Sequence, residues 1–171
     1  MKKYLLILIS AVLLIGGCAS DEPTAAELLE QESYAAAAEK FTEAINDGRN
    51  PDEAYRGLGI AYWEQGDYRR ARASFSKALN YGAEGTASIY RFLGSCDLQM
   101  GYAESALEWF EKGTTAADAK AEMIQEMEFN QIAAYEMLGD WDKAKEKLAA
   151  YVAKYPDDEQ AKKENEFLET R

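Results

Sequence analysis

Residues Tyr55–Leu79 read YRGLGIAYWEQGDYRRARASFSKAL, and this stretch decides the fold. It divides into two short helical patterns around a tight turn at Gly66-Asp67-Tyr68. The first pattern carries Tyr55, Leu58, Gly59 and Tyr62; the second carries Ala71, Phe75 and Ala78. Gly59 and Ala71 are small enough to let two helix backbones approach closely, while Tyr62 and Phe75 fill the space beside them. A single hairpin of this kind cannot bury its own apolar faces, so the pattern predicts further copies on either side.

Those copies are found in register. The small residue of the second helix recurs as Ala37, Ala71, Ala106 and Ala144, at spacings of 34, 35 and 38. Four residues after each stands a large apolar side chain: Phe41, Phe75, Phe110 and Leu148. The turns read Glu32-Ser33-Tyr34, Gly66-Asp67-Tyr68, Gly101-Tyr102-Ala103 and Gly139-Asp140-Trp141. The copies are uneven. In the first, Pro23 leaves the leading helix room only from about Thr24 to Gln31. The third has Asp97 where Tyr62 stands, which alters its inner packing. Three extra residues between Gly113 and Lys120 predict a looser junction, and Glu128, Gln131 and Ile132 open the fourth copy weakly. Asp157–Arg171 reads as a polar capping helix, with Phe167 and Leu168 as its apolar contacts.

The aromatic, then x2-L-G-x2-Y, then A-x3-F of Tyr55–Phe75 resembles the tetratricopeptide repeat (TPR). The resemblance implies an all-α, right-handed superhelical stack (an α-solenoid) of about three and a half helical hairpins, followed by the capping helix. The repeats cover 24–156 and the cap 157–171. Cys96 falls at the helix position of Ala61 and Ala134, which predicts a small buried residue rather than a reactive thiol.

The N-terminus carries the second signal. Lys2 and Lys3 precede an apolar run from Tyr4 to Ile15, too short to span a bilayer as a mature helix, and then Gly16-Gly17-Cys18. Ile15-Gly16-Gly17-Cys18 resembles a bacterial lipobox. That resemblance implies a lipoprotein signal peptide over 1–17, lipidation of Cys18 and a short tether over 18–23. The alternative is an ordinary signal peptide that ends at a cysteine. A lipidated Cys18 leaves Cys96 without an intramolecular partner. The expected location is extracytoplasmic, lipid-anchored in the cell membrane or outer membrane of a bacterium.

Chemistry is sparse. The chain has no histidine, which removes the commonest general base and metal ligand. No C-x2-C, G-x4-G-K-[ST] or H-E-x-x-H pattern is present. We expect no enzyme activity, no metal and no cofactor. A formal charge of −12 argues against nucleic acid, whose phosphates need a basic surface. The TPR resemblance implies a concave groove lined by the first helix of each hairpin. On this chain the matching positions include Arg56, Ile60 and Trp63, then Arg91, Ser95 and Leu98, then Phe129. Arg56 and Arg91 recur on one ladder, where two guanidinium groups could grip carboxylates. The alternative for both is pairing inside the chain, with Glu53, Glu64 or Glu126. Ile60 and Phe92 stand where the carboxylate clamp of chaperone-binding TPR domains has other residues, so a chaperone C-terminus is not expected. The leading expectation is a non-catalytic scaffold that holds a peptide or helix of an envelope protein in this groove, in envelope, secretion or pilus assembly. A second is a lipoprotein that binds a glycan or cell-wall fragment through exposed aromatics such as Trp63 and Trp109.

Overall fold

A computed structural model describes residues 22–169. The lipobox-like segment and Cys18 lie outside the described residues. Every regular element among those described is a helix: α1 (Ala25–Glu30), α2 (Tyr34–Asn46), α3 (Pro51–Glu64), α4 (Tyr68–Asn80), α5 (Ala87–Gln99), α6 (Ala103–Thr114), α7 (Ala121–Leu138), α8 (Trp141–Lys154) and α9 (Glu159–Glu169). Each packs mainly on its chain neighbours, with lighter contacts between α1 and α3 and between α5 and α7. The architecture is therefore a solenoid of hairpins, the first of them with a shortened leading helix.

Helix ends follow from local chemistry. Thr24 and Glu27 form a reciprocal capping box at α1, and Asp67, Thr86 and Asp140 accept backbone N–H bonds at the starts of α4, α5 and α8. Each hairpin turn closes with a backbone bond back to the residue five earlier: Ser33 to Leu28, Asp67 to Tyr62, Tyr102 to Asp97 and Asp140 to Tyr135, at 2.8–3.0 Å. That geometry needs one left-handed residue. Glycine supplies it at Gly66, Gly101 and Gly139, but Glu32 holds φ 57° in the first hairpin.

Inside each hairpin the large apolar residue of the second helix meets a small one on the first. A Cβ on Gly59 would lie 2.8 Å from the Phe75 ring, and one on Gly94 would lie 2.6 Å from the Phe110 ring. The fourth hairpin reaches the same fit by exchange, with Ile132 at the glycine position and the smaller Leu148 at the phenylalanine position, both in one buried cluster. Ala37, Ala71, Ala106 and Ala144 are all fully buried. So are Ala61, Cys96 and Ala134, which makes Cys96 a packing residue. Burial, and secondarily the neighbouring Asp97 charge, push its thiol pKa up to about 12, so it is not a nucleophile near neutrality.

Three local expectations are corrected. Asp97 does more than alter the packing. Fully buried, it accepts hydrogen bonds from the Arg72 guanidinium, from Ser105 Oγ at 2.5 Å and from Trp109 Nε1 at 3.1 Å. One carboxylate thus ties α4, α5 and α6 together, and its charge is compensated as burial demands. The junction after α6 is not loose either. Asp118 accepts the Ala87 N–H at the start of α5, at 2.9 Å, Gly113 packs against Met127, and α7 is lengthened to 18 residues against 13 in α5. In the cap, Leu168 and Ala161 are buried, whereas Phe167 is 49% exposed. Consecutive residues on a helix point about 100° apart, and here Leu168 takes the buried position while Phe167 stays half exposed.

Glu32→Gly should remove the left-handed penalty of a residue with a Cβ and stabilise the chain by about 1 kcal/mol. Urea unfolding checks this as an increased midpoint with unchanged slope.

Candidate functional site

The ladder residues lie on α3, α5 and α7, the leading helices of the three complete hairpins. Arg91 is held in place: its guanidinium stands 4.3 Å over the Phe92 ring and makes a 2.8 Å ion pair with Glu126 of α7. Trp63 is half-buried, edge-on to Phe92 at 5.6 Å and tilted against Tyr68 at 5.0 Å. Ser95 is buried, and Leu98 packs on the Ala106–Phe110–Met127 cluster. The centre of the ladder thus spends its side chains on bracing neighbouring hairpins. Phe129 lies further along, half-buried against Tyr151 at a ring distance of 5.4 Å, lining a small recess that also includes Glu126 and Asp158.

Ile60 packs with Trp63 on the Phe75–Phe92 cluster, and both it and Arg56 also border open space. They line a concavity of about 560 Å³ at the N-terminal end of the solenoid, formed by α1, α2 and α3. Its apolar lining includes Leu29, Phe41, Ala44 and Ile60, with Gly57 against the Phe41 ring. Lys40, Arg49 and Arg56 stand among its lining residues with Glu43 and Glu53. The Arg56 guanidinium is about half exposed and reaches Glu53 only at 3.4 Å, an exposed pair of little energetic weight. Arg91 is paired with Glu126, and Arg56 is on the rim of an open groove. The contribution of α1 and α2 to this groove was not foreseen, although the shortening of α1 at Pro23 was its signal in the sequence.

A second concavity of about 380 Å³ lies between α6, α7 and α8. It is polar and self-paired, since Glu128 accepts from Lys154 at 2.8 and 2.9 Å and from Tyr155 at 3.0 Å. Trp109 is also engaged: besides its bond to Asp97, it stacks on Tyr90 at 5.9 Å and carries Lys112 over its ring at 4.4 Å. Neither Trp63 nor Trp109 is the exposed aromatic expected of a sugar platform. Among the described residues, no group of three or more His, Cys, Asp or Glu side chains is placed to hold a metal ion, and no helix is long and apolar enough to cross a membrane.

The tetratricopeptide repeat family matches residues 24–85 and 56–122, and a second tetratricopeptide repeat description matches residues 128–158. The chain belongs to the tetratricopeptide repeat family. Solved TPR structures share the fold. MamA 41-end from Desulfovibrio magneticus RS-1 superposes with a TM-score of 0.74 at 22% identity, covering 86% of this chain and 80% of that one. YrrB, described as a TPR protein with an unusual peptide-binding site, gives 0.69 at 23% identity, covering 82% of this chain and 75% of that one. Another MamA structure gives 0.73 at 17% identity, covering 86% and 83%. No curated protein matches the chain.

One acidic residue of α7 stands out. A carboxylate oxygen of Glu136 is buried without a hydrogen-bond partner, and burial, then the charge of Glu164 in α9, raise its pKa above the ordinary glutamate range. A raised carboxyl pKa favours the folded state below the unfolded-state value and disfavours it as pH rises through the folded value. Glu136→Gln should therefore raise the melting temperature at pH 7, and the gain should shrink to nothing below about pH 4. Thermal melts of both chains across that range check the sign.

Proposed function

We propose that this chain is a lipid-anchored, non-catalytic TPR scaffold that holds a peptide or helix of an exported envelope protein. The observation that carries the reading is the contrast along the ladder. Its centre is consumed by internal bracing at Arg91–Glu126 and Trp63–Phe92, while the groove at α1–α3 keeps an apolar floor open to a partner. A concave apolar floor with a few charged groups at its edge suits polypeptide recognition. YrrB, a neighbour in fold, is described as peptide-binding, which agrees with this use of a TPR surface.

The anchor is Cys18, which receives a diacylglyceryl group and becomes the first residue after cleavage of residues 1–17. Two or more acyl chains would hold the chain stably at a membrane, each buried methylene contributing about 0.8 kcal/mol. Only Ala19–Thr24 then separates the lipid from α1. Six extended residues reach about 20 Å, so the groove at α1–α3 is the part of the solenoid nearest the bilayer. A partner held there would itself be a membrane-proximal segment, which fits a role in assembling envelope, secretion or pilus machinery.

Cys18→Ser should shift the chain from the membrane fraction to the soluble extracytoplasmic fraction and abolish labelling by a clickable palmitate analogue. Arg56→Glu, on the exposed rim, should weaken capture of the envelope partner while leaving helical content unchanged. Membrane retention of an unlabelled wild-type chain would contradict the anchor, and undiminished capture by Arg56→Glu would contradict the groove.

A further inference from the structure

Successive leading helices meet at a repeated position of the array. Trp63 of α3 stands edge-on to Phe92 of α5 at 5.6 Å, and Leu98 of α5 packs on the cluster that contains Met127 of α7. Each of these apolar pairs is 29 residues apart. Trp63, Leu98 and Glu136 follow one another at spacings of 35 and 38, the spacings of Ala71, Ala106 and Ala144. The third pair in this register is therefore Glu136 of α7 with Asn165 of α9, again 29 residues apart and next to Glu164. All three are half-buried. The junction that seats the terminal helix is polar where the two before it are apolar.

Glu136 has no compensation there. One of its carboxylate oxygens is buried without a hydrogen-bond partner, and α7 itself carries no Lys or Arg. The charged groups on the surrounding helices are engaged or turned away. On α5, Arg91 is paired with Glu126 and Asp97 with Arg72, and Glu104 and Glu108 of α6 are exposed. On α8, Lys143 is bound to Glu146, Lys147 lines the concavity toward α6, and Lys145 exerts no resolved effect on Glu136. On α9, Lys162 is bound to Glu159 and Lys163 is exposed. The charge that reaches Glu136 is Glu164, of the same sign. Ionising Glu136 therefore places an uncompensated charge against a helix that carries another.

The rest of α9 is lightly held. Among its described side chains only Ala161 and Leu168 are buried, in one cluster with Ile132, Leu148 and Tyr151. At its start, Asp158 accepts the Ala161 N–H at 3.0 Å and the Tyr151 hydroxyl at 2.8 Å. These bonds, the backbone one first, hold the Asp158 carboxyl below its ordinary range.

We infer that α9 is a proton-sensitive cap, docked firmly on the end of the array when Glu136 is protonated and loosened, uncovering Ile132 and Leu148, when Glu136 and Glu164 are both ionised. Two opposite signs set its range. Glu136 favours the docked helix below the ordinary carboxyl range and disfavours it as pH rises through the docked value. Asp158 favours docking above that range, and its contribution is lost as pH falls through its own docked value. Docking is thus firmest in mild acid, at about pH 4–5, and weakens toward neutrality. The inference stands apart from the groove and anchor of the scaffold reading.

Hydrogen exchange of the full-length chain at about pH 5 and about pH 7.5, corrected for intrinsic exchange rates, tests it by comparing α9 with α4. Protection of α9 should fall by about threefold or more from the lower to the higher pH while that of α4 holds. In Glu136→Gln the fall should vanish, with α9 protected at the higher pH as the unmodified chain is at the lower; in Glu164→Gln the fall should shrink. Equal protection of α9 at both pH values would overturn the inference. So would a fall that persists in Glu136→Gln, or one that α4 shares to the same degree.

Discussion

The structure depends on how closely two helix backbones approach within each hairpin. At Gly59 and Gly94 the approach is set by the ring of Phe75 or Phe110, which occupies the space a Cβ would need. Neither residue is free to change alone: a larger residue on the first helix collides with a buried ring, and a smaller one on the second leaves a cavity. The fourth hairpin makes the same constraint visible by breaking its letter. Ile132 and Leu148 exchange bulk between the two sides and keep the pair buried. What recurs along the chain is a volume shared between two helices rather than a residue.

From that fit the register follows, and from the register the layout of the surface. The leading helices present a ladder of side chains, but a ladder on a short array has two duties. In the middle it must hold hairpin to hairpin, and Arg91, Trp63, Ser95 and Leu98 do so by ion pairing, ring contacts and burial. Asp97 adds to this from the other side of α5, fixing α4 and α6 through Arg72, Ser105 and Trp109. At the N-terminal end, where α1 is short, the ladder borders open apolar surface.

Much of this was legible in the sequence because it is periodic. Ala37, Ala71, Ala106 and Ala144 set the register, and α2, α4, α6 and α8 begin at Tyr34, Tyr68, Ala103 and Trp141, where the turn residues place them. The inert Cys96 followed from its alignment with Ala61 and Ala134 alone. What escaped was chemistry that joins residues far apart in the chain through a single contact. The Asp118 bond to Ala87 turned an insertion from a slack loop into a fixed one. Asp97 read as a disturbance because its donors, 25, 8 and 12 residues away, follow no period. The ladder arginines looked equivalent for the same reason: only the fold places Glu126 against Arg91 and leaves Arg56 at the rim of a groove.

The shared-volume constraint is tested most directly by a double-mutant cycle on Gly94→Ala and Phe110→Leu, followed by chemical unfolding. Gly94→Ala on its own should destabilise the chain despite the gain of about 1 kcal/mol in helix propensity that alanine brings. Combined with Phe110→Leu, the two changes should cost less than the sum of the separate costs by at least about 1 kcal/mol, because leucine vacates the space that the new methyl needs. Strict additivity of the two substitutions, or a stabilising Gly94→Ala, would contradict the account.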